Sequence, residues 1–93
     1  MNSSAAFQQN PDTLTRTIDG LDVIMDSKNG KVLSLNEVGT FIWEMAQLSC
    51  SKEEILNAVC SQFEVTREKA ADDLEEFILV LRKKELLAID EEI

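Results

Sequence analysis

The side chains of this sequence that could do chemistry are two cysteines, a serine in an apolar run and a cluster of carboxylates, and no histidine stands beside any of them. Cys50 and Cys60 lie ten residues apart with no CxxC pair, so neither a zinc site nor a thioredoxin-like redox centre has its ligands or spacing. They read as reduced thiols of a cytoplasmic chain. Ser34 has no base to activate it, and no GxGxxG or GxxxxGK[ST] phosphate loop is present. Asp72, Asp73, Glu75 and Glu76 are the nearest approach to a metal site or an acid–base pair, but consecutive helical residues splay over different faces. A solvated helix face is the simpler reading. The Asp-Ser-Leu attachment motif of acyl carrier proteins is missing too, because Ser34 follows Leu33. The expectation is therefore a protein that is not an enzyme and holds no metal or cofactor, with its function in a binding surface.

The totals agree. Ninety-three residues make one small domain with a single core. Eighteen acidic against nine basic residues give a net charge of −9, which argues against a nucleic-acid surface. No stretch approaches the ~18 apolar residues of a membrane span, and residues 1–10 lack a basic segment followed by an apolar run, so neither anchoring nor export is expected.

Any binding surface must be positioned by the elements around Leu33-Ser34-Leu35-Asn36-Glu37-Val38-Gly39-Thr40-Phe41-Ile42-Trp43, where alternation of period two gives way to a helical stripe. Asn36 suits the N-cap at this junction. Val38, Phe41, Ile42 and Met45 form one stripe and Gly39, Trp43 and Ala46 a second, so the helix over 36–48 belongs in the middle of the domain. Gly39 inside it implies close approach of another backbone. Upstream, 1–12 is polar and reads as a disordered arm, leaving 13–93 as the domain. Residues 14–18, 21–25 and 31–35 alternate as strands, joined by the turn dipeptides Asp19-Gly20 and Asn29-Gly30. Downstream, Ser51-Lys52-Glu53-Glu54 is a capping box, and Thr66 caps a third helix with a core stripe of Ala70, Leu74, Phe77, Ile78 and Leu81. The predicted fold is α+β: a three-stranded antiparallel meander followed by three helices.

Two features of this layout are free to bind. The third strand has no further partner and leaves an open edge. On the third helix, Leu79 and Val80 fall off the buried stripe on opposite sides, so at least one is exposed or flanks another element.

Three strands, three helices and the seam Leu35-Asn36 through Ile42-Trp43 resemble the PqqD family of pyrroloquinoline-quinone biosynthesis. The likeness continues through Ser51-Lys52-Glu53-Glu54-Ile55, Phe63-Glu64-Val65, Asp73-Leu74-Glu75-Glu76-Phe77-Ile78 and Leu86-Leu87, with Glu85 where relatives often carry glycine. The resemblance implies a winged-helix-like domain that binds the leader segment of a ribosomally synthesised precursor peptide. Such a domain presents the leader to a modifying enzyme, in the quinone pathway a radical S-adenosylmethionine protein with iron–sulfur clusters. It implies strand addition to the third strand, at Lys31, Val32, Leu33, Ser34 and Leu35, with the peptide lying against Asp73, Glu76, Phe77, Val80 and Lys84 of the third helix. Val32, Ser34, Asp73, Phe77 and Val80 would select the peptide from between sheet and helix. A DNA-binding winged helix is the rival; its third helix would need clustered Lys and Arg where this one carries acids. A purely structural subunit of a biosynthetic enzyme is the other.

Overall fold

The computed structural model describes residues 7–48 and 50–87. They form β1 (Thr13–Ile18), β2 (Leu21–Asp26), β3 (Val32–Ser34), α1 (Glu37–Gln47), α2 (Lys52–Phe63) and α3 (Arg67–Lys83), the predicted order and α+β class. The strands make one antiparallel sheet in the order β1-β2-β3. Asp19 and Gly20 both take positive φ, 55° and 83°, as a two-residue hairpin turn demands. The second turn is held from Asp26, whose carboxylate accepts from the Lys28 and Asn29 backbone N–H groups and from the Asn29 side chain. The Lys28 N–H does most to hold the Asp26 carboxyl below its ordinary pKa.

All three helix starts are capped as predicted. The Asn36 side chain accepts from Gly39 N–H at 2.8 Å, Ser51 and Glu54 complete a reciprocal box, and Thr66 accepts from Lys69 N–H. Gly39 is buried for a different reason from the one expected. A Cβ there would sit 3.3 Å from Asn36 Oδ1 and 3.4 Å from Leu35 Cβ, so side chains of the preceding turn crowd it, not another backbone.

The helices pack in series, α3 on α2 and α2 on α1, while α1 rests on β2. Trp43 is fully buried, and its Nε1–H donates to Thr15 Oγ1 of β1 at 2.9 Å, pinning α1 beneath the sheet. Ile24, Ile42, Ile55, Val59, Leu74, Leu81 and Leu86 close the core around it.

Only part of the expected arm over 1–12 falls within the described residues, and there it is not loose. Phe7 is buried, stacked on Trp43 at 6.1 Å between ring centroids and edge-on to Phe77 at 6.2 Å. Gln9 bridges Leu87 in antiparallel fashion, and Asn10 donates its backbone N–H to Leu86 O and its side-chain amide to Glu85 O. Burial of a large aromatic ring offsets the entropy cost of ordering this polar stretch.

Candidate functional site

β2 and β3 pair with Ile24 opposite Leu33, Val23 opposite Ser34 and Met25 opposite Val32. Leu35 N–H donates to Asp22 O, and Asp26 N–H to Lys31 O. In an antiparallel pair the bonded positions alternate, so Lys31, Leu33 and Leu35 turn their main-chain groups toward β2. Val32 and Ser34 turn theirs the other way. Because β3 is the last strand of the sheet among the described residues, the N–H and C=O of these two residues lie along an edge free of any other described strand. Side chains follow the same alternation: Leu33 points inward and packs on the core, while Val32 and Ser34 lie on the outer face. This corrects the expectation that the Val32 and Ser34 side chains stand between sheet and helix. They bring main chain to the edge, and Leu33 is the strand residue that faces inward. Leu35 is buried beyond the strand end.

The remaining predicted residues lie on α3. Asp73, Phe77, Val80 and Lys84 are spaced four, three and four apart, which places them on one flank of the helix. All four are half-buried, whereas Glu76 is exposed. Leu79, on the opposite flank, is 55% exposed, so of the pair in question Val80 lies on the more covered side. Asp73 is held by Lys69 one turn earlier, at 2.9 Å, and its carboxylate raises the Lys69 pKa. Lys31 Nζ stands 3.7 Å from Glu85 Oε1 and ties the start of β3 to the end of α3. The predicted residues therefore fall into three groups, edge main chain at Val32 and Ser34, inward contacts at Lys31, Leu33 and Leu35, and a helix flank at Asp73, Phe77, Val80 and Lys84, with exposed Glu76 outside all three.

The sequence reading missed Phe7, which covers the Phe77 ring. Its one available signal was an aromatic residue alone in a polar segment.

α3 ends just before Glu85, the position where the sequence resemblance leads one to expect glycine. Glu85 takes φ 59°, Leu86 N–H returns to Leu81 O and Glu85 N–H to Arg82 O, a complete Schellman stop with Leu86 and Leu81 both buried. Glu85 thus adopts the left-handed conformation that glycine takes without cost.

The family profile described as Coenzyme PQQ synthesis protein D (PqqD) matches residues 23–87. The chain belongs to the PqqD family. The match runs from the middle of β2 through the Schellman stop, so it takes in the free edge, the seam and the whole of α3. Two solved structures share the fold of this PqqD-family chain. TbiB1 in complex with the TbiA(beta) leader peptide is 28% identical over 91% of this chain and 99% of its own, with a TM-score of 0.83. Lasso peptide synthetase B1 complexed with the leader peptide is 21% identical over 91% of this chain and 100% of its own, also at 0.83. No curated protein matches the chain. Among the described residues, no helix is long and apolar enough to cross a membrane.

Proposed function

We propose that this PqqD-family protein is a peptide-recognition domain that binds the leader segment of a ribosomally synthesised precursor and presents it to a modifying enzyme. In quinone-cofactor biosynthesis that enzyme is of the radical S-adenosylmethionine type. The observation that carries this reading is the pair of outward main-chain positions, Val32 and Ser34, on a free edge strand. Four groups, two N–H and two C=O, accept a peptide strand with little demand on its sequence. Selection comes from the flank of Asp73, Phe77, Val80 and Lys84, toward which inward side chains of the added strand would turn. The likeness to TbiB1, whose structure holds a leader peptide, supports leader binding.

The role is recognition rather than catalysis. A nucleic-acid role is not favoured, because Asp72, Glu75 and Glu76 are exposed along the middle of α3 and would repel phosphates.

The test is an amide-resolved titration with synthetic leader peptides. Shifts gathered at Val32, Ser34, Phe77 and Val80, with slowed exchange of the Val32 and Ser34 amide protons, support the reading. Shifts confined to α2 and β1 would contradict it.

A further inference from the structure

The outer face of the sheet is apolar where a solvated face should be polar. Along β2 the alternation is inverted: Asp22, Ile24 and Asp26 face the core and are buried, while Leu21, Val23 and Met25 face outward. The register sets Leu14, Met25 and Val32 in one row across the three strands, Arg16, Val23 and Ser34 in the next, and Ile18 and Leu21 in a third. Leu14 and Ile18 are each 57% exposed and Val32 51%. Burying two aspartates so that leucine, valine and methionine can face water is a costly arrangement unless that face is covered by something else. Arg16 is the one charged side chain among these outward positions, and an arginine set in an apolar patch is typical of interface centres.

We infer that this face docks the peptide-modifying enzyme, through an apolar patch on the enzyme with a carboxylate or aromatic ring opposite Arg16, and that a bound leader strand enlarges the docking face. The inference rests on the leader-binding reading above. A strand hydrogen-bonded to Val32 and Ser34 places the residue opposite Val32 on the same outer face, so the row Leu14, Met25, Val32 gains a fourth member from the peptide. The docking face and the leader edge are thus continuous through Val32, and the enzyme reads both at once.

A second copy of this chain fits less well. Two strands of six residues and one of three, ~4.8 Å apart, present roughly 240 Å², against about 800 Å² per partner in a stable interface. Two chains of net charge −9 also repel each other. A larger partner of different charge, which covers the added leader strand and reaches past the sheet, is held to neither limit.

The experiment measures three affinities with the full chain, a synthetic leader peptide that binds it and a purified radical S-adenosylmethionine peptide-modifying enzyme: leader alone, enzyme alone and enzyme in the presence of saturating leader. Leu14→Glu and Ile18→Glu lie on β1, across the sheet from the β3 edge, at exposed positions. Both should keep the wild-type melting midpoint and bind leader within about twofold of wild type, yet lose about tenfold or more in enzyme affinity. Wild-type protein loaded with leader should bind enzyme several-fold more tightly than leader-free protein, and leader affinity should rise equally when enzyme is present. Enzyme affinity unchanged by both substitutions would overturn the inference. So would sedimentation showing a wild-type dimer that Leu14→Glu splits, since the occupant would then be a second copy. Failure to find any leader that binds wild type would instead count against the proposed function, and the leader-free enzyme measurements would still read the docking face.

Discussion

The backbone N–H of Leu35 donates to the carbonyl oxygen of Asp22 at 2.9 Å, and this one bond sets which residues of β3 look outward. With Asp26 and Lys31 bonded in the same phase, Leu33 is committed to β2 and its neighbours Val32 and Ser34 to the open edge. Had the pairing slipped by one residue, Leu33 would have left the core and the edge would have offered different groups.

Phe7 gives a first prediction. Its ring fills the space between Trp43 and Phe77, so Phe7→Ala should lower stability by about 3 kcal/mol, the low end for phenylalanine truncation. Urea unfolding checks it; an unchanged midpoint would mean that this segment contributes nothing to the core.

Glu85 gives a second. Its left-handed backbone costs about 1 kcal/mol that glycine does not incur. The exposed Lys31–Glu85 pair, which glycine removes, contributes at most that much and often nothing. Glu85→Gly should therefore raise the thermal midpoint slightly, while Glu85→Val, with a branched side chain at positive φ, should lower it. A lower midpoint for the glycine variant would show that the ion pair outweighs the backbone term.

The third concerns pH. Asp22 is buried, with Oδ1 bonded to the Thr17 hydroxyl at 2.6 Å and Oδ2 without a partner among the described residues, and the nearness of its carboxyl group is the main reason the Glu44 pKa is raised above its ordinary value. The folded state holds the Glu44 proton more tightly than the unfolded state. Its stabilisation is complete below the ordinary glutamate value and is lost as pH rises through the folded value. Glu44→Gln does not titrate there. Urea midpoints taken from pH 4 to 7 should fall more steeply for the wild type than for this variant; parallel curves would contradict the raised Glu44 pKa.

These residues also show what could be read ahead of the structure. The seam at Asn36, the capping box at Ser51, the Thr66 cap and the Asp19-Gly20 turn are local signals, each written within four or five residues, and each is found as read. The hydrogen-bonding phase of β3 could not be read, because side-chain alternation does not tell which backbone edge faces the neighbour. Asp22 and Asp26 look like surface residues until Thr17, Thr40 and the Lys28-Asn29 turn are seen around them. Phe7 carries no periodicity, so its burial depends wholly on Trp43 and Phe77, which lie 36 and 70 positions away in the chain.

The central claim is main-chain pairing at the free edge, and a pair of proline substitutions tests it most directly. Proline removes one backbone N–H and is excluded wherever that donor is used. Ser34→Pro deletes an outward donor and leaves the β2–β3 bonds in place, whereas Leu33→Pro deletes one directed at β2. The measurement is leader-peptide affinity set beside the unfolding midpoint for both variants. The account predicts that Ser34→Pro loses about tenfold or more in leader affinity with a small loss of stability, and that Leu33→Pro chiefly loses stability. Leader affinity at the wild-type level in a folded Ser34→Pro variant would contradict it.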